Sequence, residues 1–149
     1  MVDDERDFWA KDIAAKQAVT PVTILREQAA RLGPKTNHLV EARVRTSPGS
    51  GGKGLVHTFE LVVPTLDRYT YQLFSLYHEV EPLYPVMIIE GPDPSERDLV
   101  NHLIEQTLLV PRPRSIVSEG HLKDYLRQVL SSEETTRIVN NLMAQARAA

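Results

Sequence analysis

The sequence predicts an α+β fold: a four-stranded antiparallel β-meander, preceded by one or two N-terminal helices and followed by about three C-terminal helices. Three observations carry this prediction. Apolar residues recur at helical spacing near both ends of the chain. Between about residues 38 and 90 the pattern switches to two-residue alternation. The connections between the alternating runs are short, so consecutive strands should pair in order.

The first helix is expected within DDERDFWAKDIAAKQA, where alanines favour helix and early carboxylates suit the positive end of its dipole. Phe8, Trp9 and Ile13 give it only a thin apolar stripe. Thr20 can cap a second helix with Pro21 at its first position. Ile24, Leu25, Gln28, Ala29 and Leu32 follow at helical spacing, and Gly33-Pro34 signals a stop. A first strand is expected over 38–46, with Val40, Ala42 and Val44 on one face. The second covers 55–63 and ends at Pro64. The third covers 69–79, with Tyr69, Tyr71 and Tyr77 on one face and Phe74 and Leu76 on the other. VMIIE is the fourth.

Gly91-Pro92-Asp93-Pro94 then turns the chain. Asp93 or Ser95 can cap a helix whose face is Leu99, Leu103, Thr107 and Leu108. Pro111-Arg112-Pro113-Arg114 ends that helix as an extended connector. Ser118 opens a helix carrying Leu122, Tyr125, Leu126, Val129 and Leu130. Ser131 with Glu134 opens the last, which carries Ile138, Val139, Leu142, Met143 and Ala146.

At 149 residues the chain suits one core, here an N-terminal helical arm over 1–19 and a single α+β domain over 20–149. Net charge is -3, so binding through nucleic-acid phosphates is not expected. There are no cysteines, which removes disulfides, thiol catalysis and thiolate zinc sites. No apolar run approaches the ~18 residues of a membrane span. MVDDERDFW lacks the apolar stretch of a secretory signal, so a cytoplasmic location is expected.

One stretch fits a phosphate-loop pattern. Gly49-Ser50-Gly51-Gly52-Lys53-Gly54-Leu55-Val56 matches G-x-G-x-x-G-x-V. A dinucleotide site needs a helix after the loop, and here a strand follows. The Walker spacing is absent. A kinase glycine loop does lie between two strands, but the next lysine is Lys123, and H-R-D and D-F-G are absent. The stretch reads as a loose hairpin tip, with Gly49 to Gly54 exposed. His38, His57 and His78 are expected on strands. An estimated register sets His57 opposite about Val44 and Ser75, leaving no two histidines as cross-strand neighbours. No cofactor and no metal site are therefore expected.

The surviving candidates are surface features. Arg112 and Arg114, held between prolines, can grip a carboxylate, a phosphate or an acidic partner. Phe8 and Trp9 can anchor a partner if exposed. The leading expectation is a non-enzymatic interaction module or accessory subunit with a protein partner or a second copy of itself. The rival is a small-molecule-binding domain or enzyme with a pocket between sheet and helices, lined by Tyr69, Tyr71, Tyr77 and His78.

The order of a helix, a four-strand meander and further helices, with Tyr84-Pro85 after the third strand, resembles the RWD and ubiquitin-conjugating-enzyme-like fold. The likeness covers about residues 21–130. Cysteine and His-Pro-Asn are absent, so the resemblance implies a non-catalytic, protein-binding relative, not a conjugating activity.

Overall fold

The structure, a computed structural model, describes residues 6–14, 19–91 and 114–149. One layer is an antiparallel sheet of five strands in sequential order: β1 Glu41–Pro48, β2 Leu55–Val63, β3 Tyr69–His78, β4 Val86–Glu90 and β5 Arg114–Ile116. The described helices are α1 Pro21–Ala29, α2 Leu32–Lys35, α3 Glu119–Leu130 and α4 Glu133–Ala148. The class is α+β, as expected, but the strand count is five instead of four. The added strand, β5, pairs with β4 through Val86↔Ile116, Met87↔Ser115 and Ile88↔Arg114. Three residues are too few to display a two-residue period, so only an extended connector was visible in the pattern. The helix expected after Asp93 and the side chain of Arg112 lie outside the described residues. Residues 6–14 form turns and bends where the sequence suggests helix.

Thr20, in extended conformation, and Pro21 begin α1 where expected, but the Thr20 hydroxyl makes no capping bond to a backbone amide and lies 3.1 Å from the Thr23 hydroxyl instead. Gly33-Pro34 does not stop the helical path; both residues sit inside α2. Pro34 is tolerated because N–H groups in a first turn have no intrahelical partner. The strand expected from His38 starts later, at Glu41. Asn37 and His38 both take positive φ, 52° and 61°, and turn the chain sharply before β1. Buried Thr36 braces that turn, donating its Oγ1 to the Val40 carbonyl at 2.7 Å and accepting from the Val40 amide at 3.2 Å. At the other end, Ser118 caps α3 by accepting from the His121 amide at 3.2 Å. Ser132, not Ser131, caps α4, accepting from the Thr135 amide at 3.1 Å.

Helices cover one face of the sheet. Phe59, Leu61, Val63, Phe74, Leu76, Val86, Ile88 and Ile116 from the strands pack against Ile24, Leu25, Ala29, Leu122, Tyr125, Leu126, Leu142 and Ala146. Burying each of the larger aliphatic or aromatic side chains contributes about 1.5–3 kcal/mol. Phe74 sits at the centre, stacked 5.3 Å from Phe59 and edge-on to Tyr125 at 5.9 Å.

A β-bulge in β3 governs what each face carries. Pairing runs Leu55↔His78 to Phe59↔Phe74, then shifts by one to Glu60↔Gln72 and Leu61↔Tyr71. Leu73 is the extra residue. A bulge sets two adjacent side chains opposite one partner, so Leu73 and Phe74 both oppose Phe59 on the helix side. The expected grouping of Tyr69, Tyr71 and Tyr77 on one face is broken there. Register places Tyr69 and Tyr71 on the face of Val63 and Leu61, and Tyr77 on the opposite face.

The glycine stretch is a hairpin tip, but its ends are tighter than expected. Gly49 is buried and Gly54 half-buried, and the Gly49 amide donates to the Gly54 carbonyl at 3.0 Å. A Cβ on Gly49 would overlap the Lys53 carbonyl oxygen. Gly54 has φ +65°, and a Cβ there would meet the His78 carbonyl oxygen at 2.5 Å. Lys53, between them, is exposed. Gly54→Ala is therefore expected to cost about 1–3 kcal/mol, whereas Lys53→Ala should stay within ~0.5 kcal/mol. Urea midpoints of the two variants check this, and equal midpoints would refute the tight-tip account.

Candidate functional site

Between sheet and helices lies a cavity of about 320 Å³. Its floor is Ala42, Phe59, Leu61 and Leu73, contributed by β1, β2 and the bulge of β3. Leu32, Leu130, Val139 and Met143 form apolar walls. Exposed Arg31, at the N-cap of α2, and Lys35, in its last turn, reach its lining. Neither cation makes an ion pair among the described residues, and the lining contains no carboxylate. The site thus pairs an apolar interior with an unneutralised basic edge. It lies where the rival reading expects a pocket, with different residues around it.

The residues expected to line that pocket are not brought together. Tyr71 is half-buried beside the core and Tyr69 is exposed. Tyr77 lies six residues along β3 from Tyr71, roughly 20 Å at ~3.3 Å per residue. Its hydroxyl donates to Glu79 Oε1 at 2.8 Å, which pushes its pKa up. Arg114 opens β5 with its Nε 3.9 Å from Glu90 Oε1 and its guanidinium 5.8 Å from the Tyr125 ring centre. The same Glu90 carboxylate accepts from Tyr125 at 3.1 Å. Burial first, then Glu90, raises the Tyr125 pKa. Arg114 is therefore engaged at the sheet edge. Phe8 and Trp9 remain in solvent.

The histidine reading needs correction. His57 and His78 are buried, and their Nε2 atoms lie 2.8 Å apart in stacked rings. His57 sits opposite Leu76, one residue beyond the estimated partner. That single step brings His78 onto its diagonal, within reach of a long side chain. His38 is not on a strand; its Nδ1 bonds Glu41 at 2.6 Å in solvent.

With both rings neutral, the hydrogen-bond partners fix their tautomers. His78 Nδ1 lies 2.7 Å from the Glu79 carbonyl, which can only accept. His78 therefore carries its proton on Nδ1 and accepts at Nε2. His57 must then donate from Nε2 and accept at Nδ1, where Thr46 Oγ1 donates at 2.8 Å. Burial, then His78, then Arg26 lower the His57 pKa to about 4. At neutral pH His57 is uncharged, and the two stacked rings form a polar strut inside the fold. Among the described residues no group of three or more histidine, aspartate or glutamate side chains is placed to hold a metal ion.

The other face of the sheet holds a feature that sequence reasoning missed. Glu60 is 2% exposed, yet Arg43 Nε lies 3.0 Å and Arg45 Nε 3.5 Å from its Oε1. β1 and β2 place Arg43 directly opposite Glu60. Arg45 is one alternation along, on the same face. The available signal was alternation itself: Arg43 and Arg45 share a parity, and Glu60 interrupts an apolar run. Among the described residues no helix is long and apolar enough to cross a membrane. Set against known proteins, the chain matches no family model, no curated protein and no solved structure.

Proposed function

We propose that this chain is a non-enzymatic interaction module that anchors a protein partner through Phe8 and Trp9. The observation that carries the reading is exposure: Phe8 is 93% and Trp9 78% in solvent. Ile13 and Val19 in the same part of the chain are exposed too. Leaving such surface in water is unfavourable, and burying it against a partner recovers that free energy. Phe and Trp are suited to this because each offers a large area for two side-chain torsions. Asp7 Oδ1 accepts from the Trp9 amide at 3.1 Å and helps hold the local turn. The element order, which resembles RWD domains, is compatible with this as an analogy of shape alone.

Capture of partners by the intact chain and by a Phe8→Ala/Trp9→Ala variant is the test. Removing two exposed aromatics should leave the folding stability of the single chain unchanged. It should weaken partner binding by ~30-fold or more, as loss of an interface anchor does. Equal capture by both proteins, or a strict monomer capturing nothing, would refute the reading. A second reading rests on the cavity of about 320 Å³, whose size falls in the range of small-molecule pockets. A small molecule retained in native mass spectrometry would support that one.

A further inference from the structure

We propose that the cavity between sheet and helices receives Trp9 from a second copy of this chain, so that two copies exchange N-terminal segments reciprocally. This rests on the reading of Phe8 and Trp9 as an anchor and names what they anchor to.

Size and chemistry agree. A cavity of about 320 Å³ is at the lower end for ligand pockets (~300–1,000 Å³) and suits one large side chain. Its interior of Phe59, Leu61, Leu73 and Val139 is apolar, and Met143 supplies an adaptable thioether of the kind that favours aromatic contact. The indole would enter, and Phe8 would cover the mouth.

Charge agrees as well. The first fourteen residues hold five carboxylates (Asp3, Asp4, Glu5, Asp7, Asp12) against two cations, Arg6 and Lys11. The cavity edge offers Arg31 and Lys35 with no carboxylate in the lining. An acidic segment carrying aromatics meets an apolar hole with a basic edge.

Symmetry favours a second copy. In the single chain Trp9 stands 78% exposed, outside its own cavity. Each copy offers both segment and cavity, so a two-fold arrangement fills both holes with identical contacts and closes. Two arms each bury roughly 400 Å² of aromatic surface, and reciprocal exchange doubles whatever one arm gains in a single site.

Trp9 is the single tryptophan, so its emission reports the site directly. Sedimentation equilibrium and tryptophan emission should be followed together on the intact chain over a dilution series. A dimer with blue-shifted emission at high concentration, moving to the red as it dissociates, is expected. Reversing the exposed edge, Arg31→Glu with Lys35→Glu, should weaken dimerisation by roughly tenfold or more. Adding Asp7→Lys and Asp12→Lys to that variant should restore it to within about threefold of the parent. A monomer at all concentrations overturns the proposal. So does blue-shifted emission independent of concentration, which puts Trp9 in its own cavity. A dimer indifferent to Trp9→Ala and to edge reversal, or a cavity filled by a co-purified small molecule, overturns it too. A monomer that still captures another protein through Phe8 and Trp9 would refute the exchange and leave the anchor reading standing.

Discussion

Taking the protein from pH 7 to pH 4 is expected to lower folding stability by roughly 3 kcal/mol through His57 alone. In the unfolded chain this imidazole takes up its proton near 6.5; in the fold it does so only near about 4. Between those values the unfolded state binds more protons, so stability falls as pH falls. The contribution is fully present above 6.5, is lost between 6.5 and about 4, and does not decline further below that. The gap at roughly 1.4 kcal/mol per pH unit sets the size. Burial is the main cause, and the neighbours His78 and Arg26 add to it. Urea unfolding at pH 7, 5.5 and 4 measures the effect. His57→Leu should be less stable at pH 7, because it removes the partner of buried His78 Nε2, but its stability should change much less over this interval. An unchanged pH slope in that variant would show that the acid sensitivity resides elsewhere.

The histidine pair also shows where sequence reasoning reached its limit. β2 has the bounds that alternation and Pro64 predict, because periodicity and a hard stop agree there, and β4 coincides with the short apolar run VMIIE. Ser118 is the cap expected of it, since side-chain capping is a local property. Register is not local. In the first hairpin each partner lies two residues from the estimated one, which preserves faces but changes neighbours. The estimated register would set Glu60 opposite Glu41; the observed one gives it Arg43. In the second hairpin the error is one residue, and one residue alters every neighbour relation. The bulge at Leu73 adds a second face change that no composition signal marks. The cavity therefore draws on Leu73, which the expected pocket did not include, and omits all four residues proposed for it. Exposure of Phe8 and Trp9 was left open by the sequence: a thin apolar stripe is compatible with packing on the chain's own core, and only the structure places both side chains in solvent.

Replacing Arg43 and Arg45 together by alanine is expected to cost about 3–5 kcal/mol, while Glu60→Leu costs far less. The asymmetry follows from burial. Glu60 is 3% exposed along its side chain, whereas Arg43 is 53% and Arg45 44% exposed. Without the arginines, a desolvated carboxylate keeps no cation among the described residues. Without the carboxylate, both guanidinium groups can turn into water, and leucine fills a site already flanked by Val62 and Thr58. Desolvating an ion pair consumes most of its Coulomb attraction, so the intact cluster adds little net stability while its half-removal is costly. Combining all three substitutions supplies the decisive comparison. Adding Glu60→Leu to the double-alanine variant should recover most of the lost stability, because it removes the stranded charge. Urea midpoints of the four proteins measure this directly. If the triple variant is no more stable than the double, the loss comes from arginine side-chain packing on the strand, and the carboxylate is not the group that makes the arginines necessary.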